Sequence, residues 1–333
     1  MIRRESERPP LLTAGLKGLA GLTLGAAVSW IIYSKLAVDH NAVLPDALPA
    51  ERKTFQSPVA GTLSYYFNRE TGKRPLVLIH SINAAASAYE MRPLFLHYYN
   101  QRPVYALDLP GFGFSSREKR AYSPLIYITA ILDFIETQVG EPADVVALSL
   151  SSEFAARAAL ARPDWFNSLV LISPTGFSLK NARRAQQGGR GGTSDAAHAL
   201  LSVPLWARPF YDLLTTRTSI KAFLQRNFTG AVPDDLIDYD YASAHQPDAE
   251  HAPLYFVTGK LFTPAIRELV YERLEVPTLV IYDRDPYVSF EMLPNTLTRN
   301  TYWQAVRLVP TLGLPHFERL SDTAEVLDNF WKE

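Results

Sequence analysis

The sequence predicts a doubly wound, mostly parallel α/β sheet carrying an inserted helical lid, and three observations carry that prediction. From about residue 54, short apolar runs rich in β-branched residues alternate with helical stretches. Most of those runs are near-continuously apolar, as strands covered on both faces must be. One stretch, 177–272, breaks the alternation with helical segments and no clear strand.

The runs are GTLSYYF, PLVLIH (75–80), VYALDL (104–109), ADVVALS (143–149), SLVLIS (168–173), PTLVIYD (277–283) and AVRLVP (305–310). Between them, 88–99, 124–139, 151–162 and 322–332 have helical spacing; Leu125, Ile128, Ile131, Leu132, Phe134 and Ile135 form one broad apolar face. The insertion opens with the basic, glycine-rich loop NARRAQQGGRGGTS. Its Arg183, Arg184 and Arg190 are read first as solvated loop charges and second as contacts to anionic lipid. Helices are expected at 195–203, 208–215, 217–227, 233–245 and 263–272. Of the aromatic residues there, Phe223 and Phe256 among them, packing explains more than an apolar pocket does.

Composition narrows the function. The 333 residues contain 47% apolar side chains, enough for a large core, and a net charge of -1, which gives no reason to expect a nucleic-acid partner. The absence of cysteine excludes disulfides, thiol catalysis and cysteine-ligated metals. No metal-binding, phosphate-loop or dinucleotide motif is present, so neither metal nor cofactor is expected.

Residues 11–34 hold one charge, Lys17, and residues 18–34 hold none. As a helix, 18–34 reaches about 25 Å, close to a bilayer core of about 30 Å. Lys17 can extend toward the headgroups, and Trp30 and Tyr33 sit near one end, where aromatic rings favour the interface. A single N-terminal membrane anchor is expected. A signal peptide is the competing reading, but no small-residue cleavage site follows the apolar run. A buried structural helix is the third. Arg3, Arg4 and Arg8 favour a cytoplasmic N-terminus and an extracytoplasmic domain, a bias that Lys35, Arg52 and Lys53 weaken. The expected division is an anchor at 1–37, a polar linker at 38–53, core at 54–176, lid at 177–272 and core again at 273–333.

The chemistry centres on Ser149, which ends an apolar strand and starts a helix rich in small residues. Such a sharp turn exposes its central side chain and needs small neighbours two residues away on each side, here Ala147 and Ser151. A helix N-cap is the plainer role for a serine there, but Ser151 or Ser152 could supply it. The backbone amide of Leu150, and one from the loop after residues 75–80, with Ile82 favoured, are the expected oxyanion donors. His80 is read as a brace for that loop.

The segments LIH-S-I (78–82), DLPGFGFS (108–115), ALSLSSEFAARAALARP, LVLISPTG (169–176), VPTLVIYDRDP (276–286) and PHFER (315–319) resemble the α/β-hydrolase superfamily, within it the lidded relatives of small esterases, haloperoxidases and C–C hydrolases. DLPGFGFS is the most specific of these. The resemblance spans residues 54–333 and implies a Ser–His–acid triad. It implies Asp285, which precedes Pro286, as the acid, with Asp283 as runner-up. The sequence departs from the family at the base. Where the family loop reads G-H-x-P-H-x-E-R, this chain reads Leu312-Gly313-Leu314-Pro315-His316-Phe317-Glu318-Arg319. Aligned on PHFER, Gly313 stands where the catalytic histidine belongs; aligned on Pro310 and Gly313, that histidine is deleted. His316 matches the second, usually non-catalytic one. Three outcomes stay open: His316 moves in as base, a lid histidine (His198, His245 or His251) serves, or the triad lacks its base.

These readings lead to a membrane-associated serine hydrolase acting on a small, lipophilic carboxylic ester. Its competitors are a binding or scaffold protein on a hydrolase fold, and an acyltransferase that passes the same acyl-enzyme to another acceptor.

Overall fold

The computed structural model describes residues 25–179 and 195–332. Eight strands form one sheet in the order β1-β2-β4-β3-β5-β6-β7-β8. They are β1 (Glu51–Ser57), β2 (Gly61–Phe67), β3 (Leu76–Ile79), β4 (Val104–Leu107), β5 (Ala143–Leu148), β6 (Phe166–Ile172), β7 (Thr278–Tyr282) and β8 (Trp303–Arg307). The pairs β1–β2 and β2–β4 are antiparallel. All remaining neighbours are parallel.

Because side chains alternate along a strand, a sheet covered on both sides must contribute to two cores. Val77, Ile79, Val145, Ala147, Leu169 and Leu171 enter one, against α3 (Pro124–Phe134) and α4 (Ser151–Ala161). Leu76, Leu78, Val146, Leu148, Val170 and Ile172 enter the other, with α2 (Arg92–Tyr98) and lid residues such as Phe228 and Leu236. The loop after β4 carries the DLPGFGFS segment, and its glycine pattern has a steric cause. Gly113 has φ +52, and a Cβ there would lie 2.1 Å from the Asp108 carboxylate. That carboxylate accepts the Ala88 and Phe114 amides, locking the loop beneath the lid.

The described lid is helical, as expected, with α5 (Asp195–Leu201), α6 (Ala207–Leu214), α7 (Arg217–Gln225), α8 (Asp234–Ala244), α9 (His251–Val257) and the short α10 (Ile266–Leu269). Three boundaries differ from the sequence reading. The linker of 38–53 is neither loose nor strand-free: β1 begins inside it, and Leu44, Ala47 and Leu48 are buried, Ala47 donating its amide to the Tyr66 hydroxyl. Helix α9 was not expected, since Pro253 interrupts its pattern; it falls in the first turn, where proline is tolerated. The helix expected over 263–272 shrinks to α10 and a single 3-10 turn at Tyr271–Arg273.

Residues 25–37 are helical, whereas the first part of the expected anchor, 11–24, and the arginines of the basic loop lie outside the described residues. No helix among the described residues is long and apolar enough to cross a membrane. The 25–37 helix docks on the lid. Trp30 Nε1 donates to the Pro209 carbonyl at 2.7 Å, and the Ser34 hydroxyl donates to Asp212 Oδ2 at 2.6 Å. Buried Asp212 also receives His40 at 2.9 Å and Arg208 at 2.8 Å.

Candidate active site

Strand β5 delivers Ser149 into the left-handed region at φ +54, with its amide donating to the Ile172 carbonyl at 2.9 Å. A serine in that conformation costs on the order of 1–3 kcal/mol and persists only where the surroundings dictate it. They do so here: Ala147 and Ser151, flanking the turn, are wholly buried, and Ser152 closes it through its amide to the Ser149 carbonyl at 3.1 Å. Larger residues at either flank would collide with the packed strand and helix.

Ser149 opens onto a pocket of about 630 Å³ that also contains Ile82, Leu150, Asp285, Asn227 and Gly313. Among the described residues, neither the Leu150 nor the Ile82 amide donates to another group. Both expected oxyanion donors are therefore free beside the serine. The rest of the wall is largely apolar, with Leu148, Phe223, Leu224, Phe256, Phe262 and Val288.

The loop carrying Ile82 is held by a residue that sequence reasoning missed. Buried Glu90 accepts the Ser81 amide at 2.7 Å, the Ser81 hydroxyl at 3.0 Å and Asn83 Nδ2 at 2.7 Å. Burial pushes its carboxyl above the usual range, against the pull of those donors. His80 braces the same loop as expected: Nδ1–H donates to the Ser81 carbonyl and Nε2 accepts the Leu109 amide. Burial takes its pKa down to about 3.

On the acid side the structure separates the two candidates. Asp283 is bound to Arg307 at 2.8 Å and to the Thr311 amide at 3.1 Å. Burial alone would raise it, but those two donors hold it below the ordinary carboxylate range. Asp285 lines the pocket instead. Its Oδ1 accepts the Tyr287 and Val288 amides at 2.7 and 2.8 Å, while burial pushes its pKa up. Its Oδ2 faces Gly313: a Cβ on that glycine would lie 3.1 Å from Asp285 Oδ2 and 2.5 Å from Asn227 Oδ1. Gly313 thus occupies the position from which a histidine would meet the acid, and the lid residue Asn227 intrudes on the space its side chain would take.

His316 is not brought to Ser149. It is wholly buried outside the pocket lining, its Nε2–H donates to the Glu90 carbonyl at 2.8 Å, and Nδ1 has no hydrogen-bond partner. Burial lowers its pKa to about 4. The expected base therefore holds the Glu90 backbone rather than the serine, beside the loop that carries Ile82. The lid histidines do not enter either. His198 lies against Tyr255, His245 donates to the Tyr241 carbonyl, and His251 sits beside Asp248. Among the described residues, no histidine lines the pocket.

Asp248, Glu250 and His251 present ligand atoms within 4.8 Å of one another on the lid, well away from these residues in the pocket lining. Arg208 already pairs with Glu250 there.

A family model described as the alpha/beta hydrolase family matches residues 76–328. Over 119 residues the chain is 33% identical to an abhydrolase domain-containing protein, abhd-5.2, of Caenorhabditis elegans; the match covers 34% of this chain and 26% of that protein. A probable hydrolytic enzyme from Pseudomonas aeruginosa PAO1 superposes with a TM-score of 0.68 at 17% identity, covering 86% of this chain and 95% of that one. A membrane phospholipase A, described as a bacterial virulence factor, superposes with a TM-score of 0.64 at 19% identity over 96% of each chain. With the family model spanning most of the sheet, the strained serine and the lid, the chain belongs to the alpha/beta hydrolase family.

Proposed function

We propose that the chain is a serine hydrolase of apolar carboxylic esters, with Ser149 as nucleophile, the Leu150 and Ile82 amides as oxyanion donors and Asp285 as the acid of its proton relay. The observation that carries this reading is the Ser149 turn, strained and exposed to an apolar pocket beside two free amides. Ser149 Oγ bonds to the ester carbon as its proton passes to water, and the two amides hold the developing oxyanion. Collapse expels the alcohol, which takes a proton from water, and leaves an acyl-serine for a second water to hydrolyse. Without a base at hydrogen-bond reach, such a serine retains only residual catalysis, about 10³–10⁴ over water, from the oxyanion hole and binding. Hydrolysis of simple esters is accordingly slow. Labelling of the chain by a fluorophosphonate, lost in Ser149→Ala, tests this directly. No labelling beside a reactive control esterase would sink it.

The glycine at 313 favours a second reading, a binding protein that has kept the fold and lost turnover. It predicts that wild type and Ser149→Ala bind an acyl ligand equally and that neither consumes it.

Membrane attachment through residues 11–34, with the domain on the extracytoplasmic side, belongs to the same proposal. The run of uncharged residues supports it, as do Val28, Ile32, Tyr33 and Leu36, which stay exposed on the helix that docks to the lid. Extraction of membranes at high pH should leave the full chain in the pellet and release one lacking residues 1–24. Release of both would refute the anchor.

A further inference from the structure

The pocket holds the strained serine and an acid but no histidine among its lining residues. Asp285 Oδ2 accepts no hydrogen bond from any described residue and pairs with no cation, and Asn227 Oδ1 likewise accepts none. Both oxygens bracket the backbone of Gly313, and both residues line the same pocket as Ser149. Neither oxygen is among the buried unpartnered atoms, so both are open to the pocket, where an N–H donor on a ligand can reach them. The described residues supply none.

We propose that the ligand supplies it: the site takes an ester whose acyl part carries an imidazole or an uncharged amine, and that nitrogen serves as the missing base. This rests on the serine-hydrolase reading above. An N–H of the group donates to Asp285 Oδ2, and the nitrogen lone pair accepts the Ser149 hydroxyl proton as Oγ bonds to the carbonyl carbon. The same nitrogen then returns the proton to the departing alcohol oxygen as the carbon–oxygen bond breaks. Because the group stays on the acyl part, it next takes a proton from the water that attacks the acyl-serine and returns it to Oγ as free acid leaves. A nitrogen on the alcohol part departs in the first half-reaction, so such esters acylate the enzyme and stop.

Free imidazole is the probe. With a p-nitrophenyl ester of a plain acyl chain and the full-length protein, added imidazole should raise the Ser149-dependent rate saturably. The rise should be at least about tenfold, a part of the roughly 10²–10⁴-fold that a positioned general base contributes. The Ser149→Ala protein provides the uncatalysed imidazole background. Asp285→Asn should weaken the saturation, and N227G/G313H should show activity that no longer responds to imidazole. If fluorophosphonate labels Ser149 but imidazole gives no saturable increase over the Ser149→Ala background, the ligand-supplied base is refuted and the nucleophile stands. If the probe labels Ser149 neither alone nor with imidazole present, the hydrolase reading itself falls.

Discussion

The turns at Ser149 and Gly313 border the same pocket, one after β5 and the other after β8, yet they differ in what holds them. The Ser149 turn is specified by backbone: a positive φ, two buried small neighbours and a helix start. The Gly313 turn would be specified by one side chain, and without that side chain the loop still closes. Thr311 bonds Asp283, and Leu312 donates its amide to Glu318 at 2.8 Å. The turn that exposes Ser149 is built into the fold and is costly to disturb, whereas a side chain hung on the Gly313 loop can vanish without disturbing the structure.

The comparison can be broken in several places. Ser149→Ala should have the largest effect, complete loss of fluorophosphonate labelling with the melting temperature nearly unchanged. Ala147→Val, which adds two carbons to a fully buried flank of the turn, should destabilise by about 1–3 kcal/mol in urea unfolding and reduce labelling of the protein that remains folded. A neutral effect on both would show that the turn is less constrained than its burial implies.

His316→Gln separates positioning from catalysis. The folded pKa near 4 lies below the ordinary 6.5, so the folded state binds fewer protons between those values. Stability is present above pH 6.5 and is lost as pH falls toward 4, by about 2 kcal/mol between pH 6.5 and 5. The variant should lose that portion of the acid sensitivity, read from unfolding at the two pH values, and keep fluorophosphonate labelling at pH 7. Loss of labelling in folded His316→Gln would restore it as a base. The smallest effect is expected from Gly313→Ala. The new methyl meets the movable end of Asn227, so a cost under about 1 kcal/mol is expected.

Much of this was legible in the sequence, because the parts concerned are local. Apolar runs gave seven of the eight strands, and a strand ending in serine before a helix of small residues marked the strained turn at Ser149. The lost base was visible as Gly313. Strand β1 escaped because, at the sheet edge, only Phe55 and Ser57 of its seven residues are buried, and ERKTFQS reads as polar chain. Glu90 and Asn227 escaped for a different reason. Neither belongs to a recognisable motif; each matters through partners outside its own element, Ser81 and Asn83 in the preceding loop for one, Gly313 far along the chain for the other. Asp285 and Asp283 were distinguished in sequence only by their neighbours, and in space by Arg307, which claims Asp283.

The helix at 25–37 meets the rest of the molecule through Asp212, a lid residue, and through Pro209 beside it. A tether attached at that end therefore holds the cap of the pocket rather than its floor. Were the lid and the sheet to part under the proposed tether, the lid would be the stationary piece and the sheet, with Ser149 on it, the piece that swings. Access to the serine would then depend on how freely the bulk of the protein turns beneath its own roof.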